Sequence, residues 1–437
     1  MSTFTVTNTN NSGLGSLRQA VLDANALTGK DMINFGGLFT DGLAHTISLT
    51  GSGLSITDDL TIQGTNPSLL TIKDDTADRV FDIGNSVTSA INGLTITNSY
   101  NDNYNEAGRV GGLSNDIIER LRGGGAISIE IGGSLTLNKS IITGNTADNG
   151  GGINNYGGSL TLNNSTVTGN TAVDGGGINN VDGTITVNNS NISGNTASYG
   201  GGISSSSSDT ITVNNSTISG NTALFGGGID SSGTLINTNG TVLVSVNNST
   251  ISGNTASFGG GIDSSSETIT VSNSTISGNR SYGGGGINSS SDIITVSNST
   301  ISGNTALYGG GIMQTSSFVG TFTLINSTIN GNQAHLGGGI YNEGILTVGN
   351  STIKHNKAFG IELSSGKEES GKGGGIYNDN SSHATTTVDY STIACNFDTP
   401  QQNSNKVIKS DDLVGKFIAK HYDNRIGNLS GSTFSYS

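Results

Sequence analysis

Tryptophan is absent from the 437 residues, cysteine occurs once and proline twice. The lone Cys395 cannot form an internal disulfide, so cysteine usage neither requires nor forbids an oxidising compartment. Charged residues make up 11% and hydrophobic residues 32%, which excludes an ordinary globular composition. Disorder is excluded too. Disordered chains are charged and poor in β-branched residues, whereas Ile, Val, Thr and Ser recur here throughout. No apolar run reaches the 18 residues of a membrane-spanning helix, so no membrane span is expected. The opening Met1-Ser2-Thr3-Phe4-Thr5-Val6 has no basic residues followed by an apolar run, and no cleaved leader is expected from it. Basic residues number 18 against 32 acidic ones, a net charge of −14 that repels phosphate backbones, so nucleic acid is not expected as a partner.

What fills the chain is glycine, 69 residues of it, in a repeat. Gly-Gly-Gly is followed by Ile153, Ile178, Ile203, Ile229, Ile262, Ile287, Ile312, Ile340 and Ile376, with Ala126-Ile127 as a variant. Successive isoleucines lie 26, 25, 25, 26, 33, 25, 25, 28 and 36 residues apart, a period of 25. Within one unit, Gly152-Ile153-Asn154, Ser159-Leu160-Thr161-Leu162 and Thr166-Val167-Thr168 alternate polar and apolar. Period two means strands. Three short strands per repeat cannot bury their inward residues singly, but stacked units cover one another. The expected fold is all-β, a parallel β-helix with Ile153, Leu160, Leu162 and Val167 inside and Thr161, Thr166 and Thr168 outside. Asn145, Asn170, Asn195, Asn221, Asn254, Asn279, Asn304, Asn332 and Asn356 share one phase of the repeat and are expected to stack as an amide ladder.

The ends differ from the middle, as a solenoid requires if its open edges are not to polymerise. Residues 1–44 read as an N-terminal cap. Ser16-Leu17-Arg18-Gln19 is a capping-box pattern, and Leu17, Ala20, Val21 and Ala24 form the apolar stripe of a short helix. Residues 45–97 read as irregular first coils, 98–123 as a charged insertion, 124–396 as regular coils and 397–437 as a C-terminal cap. In that last segment Ser410-Asp411-Asp412 is expected to open a second capping helix, with Leu413, Val414, Phe417 and Ile418 on the last coil and Lys416 and Lys420 at its end. Coil length drifts at 233–243 and 359–375, where loops are expected.

Gly-Gly-Gly-Ile paired with Ile-Ser-Gly-Asn resembles the Gly-Gly-Ala-Ile and Phe-x-x-Asn repeats of polymorphic outer-membrane proteins, with Ile192 or Ile218 where that family has Phe. Gly15-Ser16-Leu17-Arg18-Gln19-Ala20 is similar to the Cys-Ser-Leu-Arg-Glu-Ala segment that opens many bacterial repeat proteins. The resemblance covers residues 2–396. It implies a right-handed parallel β-helix of the pectate-lyase-like kind, displayed at the cell surface or secreted by bacteria, with adhesive roles.

Chemistry is sparse. Between Ile141 and Ile353 the only basic residue is Arg280 and the only histidine His335. Asp230 and Asp263 each follow a Gly-Gly-Gly-Ile and stack on successive coils, about 4.8 Å apart. Such a pair can share a proton, bind Ca²⁺ or act as the acid and nucleophile of a retaining glycosidase. The stronger reading is that in the column Ser128, Asn154, Asn179, Ser204, Asp230, Asp263, Asn288 Asp merely varies a small polar outward residue. A second column, Tyr199, Phe225, Phe258, Tyr282 and Tyr308, forms a ribbon for sugar rings or a partner surface if the rings face outward, and a corner filler if they face inward. The leading expectation is a monomeric, non-enzymatic, extracellular β-solenoid with no organic cofactor that contacts a polysaccharide or cell-surface ligand. The alternative is a polysaccharide lyase or hydrolase with its groove beside residues 98–123. A single solenoid of roughly 14 coils at about 4.8 Å each would measure about 65–70 Å, and small-angle scattering that showed a sphere or separate lobes would reject it.

Overall fold

The computed structural model describes residues 1–75, 78–97, 99–101, 124–206, 210–231, 243–265, 268–291, 293–315, 320–362, 365, 368–379, 384–399, 409–410, 412–420, 424–427 and 433–436. It falls into two compact units, one built on Met1–Thr217 and one beginning at Ile218. Both are wound from coils of three strands. In one coil of the first unit these are Ile153–Tyr156, Ser159–Asn163 and Thr166–Thr168. Each pairs in parallel with the matching strand of the next coil, Ile153 beside Ile178, Leu160 beside Ile185 and Val167 beside Ile192. The second unit repeats the pattern with Ile262–Ser264, Thr268–Ser272 and Thr275–Ser277.

A strand that returns parallel within its own sheet crosses over right-handed, which makes this a right-handed parallel β-helix. Constant register keeps every apolar column on the inner face. Ile153, Leu160, Leu162 and Val167 are fully buried, while Thr161, Thr166 and Thr168 are partly exposed.

Each glycine triplet does two jobs. Gly259 turns the chain at φ +60°, a conformation that side chains rarely adopt. Gly260 and Gly261 instead lie so close to the next coil that a Cβ on either would sit 2.5 Å from the carbonyl oxygens of Gly285 and Gly286.

The helix of the first unit forms as the sequence predicts, over Leu17–Asn25, with Ser16 Oγ accepting from the Gln19 amide. Leu17, Ala20, Val21 and Ala24 are buried against the strands Thr3–Val6, Asp31–Phe35 and Leu54–Ile56. Winding begins earlier than the cap boundary at residue 44, since Thr3–Val6 pairs with Asp31–Phe35 and that strand with Leu60–Gln63.

The C-terminal helix is absent. Leu413–Val414 and Lys416–Ala419 are strands in parallel with Ile376–Asn378 and Thr385–Asp389. Leu413, Phe417 and Ala419 are buried, a period of two that fits the open edge of the preceding coil. Ladder hydrogen bonds to that edge outweigh a helix-dipole charge pattern worth at most about 1 kcal/mol per charge. Of the insertions, 98–123 lies outside the described residues except for Ser99–Asn101, and 233–243 except for Leu243. Within 359–375, Ile361–Glu362 pairs antiparallel with Glu368–Glu369.

The corner asparagines form the expected ladder and are 0–1% exposed. In the first unit Asn145 Nδ2 donates to Asn170 Oδ1 at 2.9 Å and Asn170 Nδ2 to Asn195 Oδ1 at 3.0 Å. In the second the chain runs through Asn221, Asn254, Asn279, Asn304, Asn332, Asn356 and Asn396 at 2.9–3.0 Å per step. Each backbone N–H joins the same acceptor, as from Asn254 to Asn279 Oδ1 at 3.0 Å. The second proton of the Asn254 amide goes to the Ile218 carbonyl at 3.1 Å.

All amides point the same way. The first stretch begins with a hydroxyl donor, Ser99 Oγ to Asn145 Oδ1 at 2.6 Å. The second ends on an acceptor, the buried Asp412, which takes both the amide and the backbone N–H of Asn396 at 2.8 Å.

Asn254→Leu is expected to strand the donors of Asn221, the Ile218 carbonyl and Asn279 Oδ1 at about 1–3 kcal/mol for each buried group left unpaired. Thr250→Ser, on the outer face, should stay within about 0.5 kcal/mol of the parent. Equal unfolding midpoints for the two variants in urea would refute an inward, load-sharing ladder.

Candidate functional site

Phe225, Phe258 and Tyr308 each stand immediately before a glycine triplet. Backbone bridges join Phe225 to Phe258, Phe258 to Gly283 and Gly283 to Tyr308. Tyr282 is therefore one residue out of the column assigned to it. The extra glycine of the run Gly283–Gly286 takes the column position, and Tyr282 occupies the place held by Ser257 and Leu307 in neighbouring coils. Its ring still closes the gap, edge-on at 5.8 Å from Phe258 and 5.7 Å from Tyr308. Phe225 and Phe258 stack at 5.7 Å. Tyr199 belongs to the first unit, beside Asp174, and is 40% exposed.

After Tyr308 the column carries Leu336 and Lys372, and the aromatic role passes to Tyr341 and Tyr377, which follow Ile340 and Ile376 on their strands. Tyr341 lies 5.8 Å from Tyr308, and Tyr377 stacks on it at 5.5 Å. Counting a single column overlooks both. Their register, through Met313, is that of Asp263 and Asn288. The Gly-Gly-Gly-Ile-Tyr-Asn runs at 337–342 and 373–378 are the signal that marks them.

The aspartate column therefore lies beside the ring column. Asp230 pairs in register with Asp263, and Asp263 with Asn288. Both side chains leave the apolar interior, as expected of an outward position, yet they are only 2% and 6% exposed. The triplet turn is the cause. A Cβ on Gly226 or Gly259 would sit 2.5 and 2.4 Å from the Cβ of Asp230 and Asp263, so the ring-bearing stretch lies across the two acids.

Burial pushes the Asp263 carboxyl up to about 6, against the downward pull of the Asn288 amide at 2.8 Å and the Ser264 backbone. A polymer cannot reach these carboxyls. Among the described residues no three or more His, Cys, Asp or Glu side chains lie close enough to hold a metal ion. A calcium ion at Asp230 and Asp263 would thus need backbone, amide and water oxygens for most of its six to eight ligands.

Ionisable groups gather instead at the far end of the ring ladder. The Tyr341 hydroxyl donates to Glu343 at 3.1 Å. Burial, then Glu343 and Asp379, raise the Tyr341 pKa; burial and Asp379 raise that of Tyr377; burial, Tyr282 and Glu369 raise that of Tyr308. All three phenols stay protonated near neutrality and act as donors, not bases. His335 is buried, with Nδ1 2.8 Å from the Phe359 carbonyl and Nε2 3.9 Å from Glu369. The arrangement is a strip of rings edged by carboxylates. Tyr282 offers exposed ring surface for stacking, whereas Tyr341 and Tyr377 are buried and fill the corner, and the carboxylates offer acceptors for hydroxyl groups.

No family model matches the chain, and no curated protein matches it in sequence. Among solved structures it is similar to the A-module of the Azotobacter vinelandii mannuronan C-5 epimerase AlgE4, at 12% identity and a TM-score of 0.43, covering 95% of this chain and 94% of that one. For the A-module of AlgE6 from the same organism the values are 13%, 0.40, 96% and 94%. For pectate lyase Pel9A they are 12%, 0.27, 98% and 81%. Likenesses this distant carry no argument about activity, and the fold stands on the strand pairing described above.

Asp263 yields a pH prediction. Its folded pKa, about 6, exceeds the ordinary 3.8, so the folded state binds more protons between those values. The contribution of Asp263 to stability is then greatest below about pH 4 and is lost as pH rises through about 6. Asn154 and Asn179 show that an amide pair fits the same column, Asn179 Nδ2 donating to Asn154 Oδ1 at 2.8 Å. Asp263→Asn should therefore stabilise the protein at pH 7 by up to about 3 kcal/mol, with the gain gone below about pH 4. Parallel melting-temperature profiles of parent and variant across this range would show that Asp263 ionises as freely folded as unfolded.

Proposed function

We propose that the protein is a non-catalytic β-solenoid, secreted or displayed at a cell surface, that binds an extended polysaccharide along the ring ladder of its second unit. The supporting observation is the run of rings Phe225, Phe258, Tyr282 and Tyr308, spaced 5.7–5.8 Å apart, which continues into Tyr341 and Tyr377, each only 8% exposed and so a buried end of the ladder outside its binding face. Tyr282 is 51% exposed and Leu224, two coils before it in the same column, 50%. A row of rings in step with the coils matches a polymer whose own units repeat along its length, and the C–H faces of sugars pack on aromatic rings while their hydroxyls take the flanking acceptors. Glu343, Glu369 and Asp379 make that edge anionic, which favours a neutral polymer.

A carbohydrate-cleaving reading has one observation in its favour, the raised carboxyl of Asp263 in register with Asp230. The cover over both acids weighs against it.

Phe258→Ala with Tyr282→Ala should weaken binding of a neutral glucan, measured by affinity electrophoresis, by about tenfold or more, with an unchanged far-ultraviolet spectrum. Asp230→Asn with Asp263→Asn should leave it intact with and without EDTA. A Ca²⁺-dependent affinity or melting temperature that the double aspartate variant abolishes would assign a cation to that pair. Polymer cleavage by the parent that is lost in the aspartate variant would replace the binding reading with an enzymatic one.

A further inference from the structure

The first unit contains a groove of about 710 Å³ whose lining includes Gln63, Asn66, Asn92, Asn138, Lys139 and Asn164. Its origin is a change in corner length. In regular coils one left-handed residue turns the chain between two strands, as Asn164 (φ 52°) and Asn189 (φ 49°) do. The coil after Leu60–Gln63 uses Gly64–Leu69 instead, before the strand at Leu70. An Asx turn holds this longer corner, Asn66 Oδ1 accepting from the Ser68 amide and hydroxyl at 2.9 Å. Thr95 Oγ1 pins it through the Pro67 carbonyl at 2.7 Å. The loop overhangs the tight corners of the following coils, and the step between them is the groove.

No acidic residue lines the groove, although the protein carries a net charge of −14. Gln63, Asn92 and Asn138 present a row of amides already oriented by one another, Asn138 Nδ2 donating to Asn92 Oδ1 at 2.7 Å and Asn92 Nδ2 to Gln63 Oε1 at 3.2 Å. Asn92 Nδ2 also donates to the Ile62 carbonyl at 3.4 Å, so Asn92 keeps acceptor capacity alone, while Gln63 and Asn138 each keep a second amide proton. Lys139 is exposed and makes no ion pair among the described residues.

Lys139 also breaks the rule of the array. The same corner position is Asn at 164, 189, 215, 248, 273, 298, 326 and 350, all with φ between 48° and 52°, and Tyr390 at φ 44° is a second departure at the other end of the array. Asn tolerates that conformation far better than lysine does. At φ 49° Lys139 gives up the residue type the fold prefers and places a cation at the mouth of an amide-lined groove.

We infer that this groove is a subsite for a carboxylate-bearing saccharide unit, its carboxylate on Lys139 and its hydroxyls on the amides of Gln63, Asn92, Asn138 and Asn164. A bare anion would use donors alone, whereas a polyol uses both the donors and the acceptors that amides supply. The volume suits one or two sugar rings. The site is in the first unit and does not rest on the ring ladder of the second.

The test is titration calorimetry with galacturonate, glucuronate and mannuronate hexamers, and maltohexaose as the neutral control, in the Phe258→Ala, Tyr282→Ala background so that the ladder contributes nothing. At least one uronate is expected to bind, and Lys139→Asn to weaken it about tenfold or more while melting no lower than its parent. Lys139→Arg should retain binding within about threefold. The inference is overturned if no uronate binds below about 10 mM, if maltohexaose binds equally well, or if Lys139→Asn leaves affinity unchanged.

Discussion

Asn279 takes two hydrogen bonds from Asn254 and gives two to Asn304, and none of these groups can turn to water instead. That dependence of each coil on the next is the constraint behind the rest of the molecule. A core this narrow buries apolar side chains in single file, so it offers little surplus with which to tolerate an unmet donor. Backbone ladders hold the strands, and side-chain ladders hold the corners, where the backbone must bend. Serine does at a second corner what asparagine does at the first, Ser274 N–H donating to Ser299 Oγ and Ser299 N–H to Ser327 Oγ, each at 3.1 Å. Glycine is then required wherever two corners approach too closely for a Cβ.

Axial periodicity made most of this legible in sequence. Inward Leu160 and Val167, outward Thr161, the amide ladder and the buried stripe of the N-terminal helix all follow from phase within a 25-residue period. Phase says less about an end. Residues 413–420 satisfy both a helical charge pattern and a strand alternation, and only the waiting edge of the preceding coil decides between them. The first strand carries no such signal for the same reason, since Thr3–Val6 precedes any repeat against which it could be compared.

The candidate site was legible in part. The ring column was visible, but its membership depends on a single inserted glycine at 283 and on a change of column after Tyr308, neither of which a fixed spacing reveals. The aspartates were correctly placed in register, while their burial follows from a turn that folds back over them, a tertiary effect absent from any strand pattern. Lys139 was invisible as a site residue because the sequence shows a departure from Asn without showing the overhanging loop that gives the departure meaning.

The one-way direction of the amide ladder in the second unit makes its two ends chemically unlike, since the last rung offers protons and must meet an oxygen, the role that Asp412 fills. Every interior rung, by contrast, receives what it gives. A whole coil duplicated between Asn279 and Asn304 would leave the count of met and unmet groups unchanged, and one deleted would do the same. Array length is thus free to vary by gene-level gain or loss of entire repeats, provided the terminator stays where it is. A break within a repeat has no such freedom, and the ladder acts as a reading frame that admits change only in units of one turn.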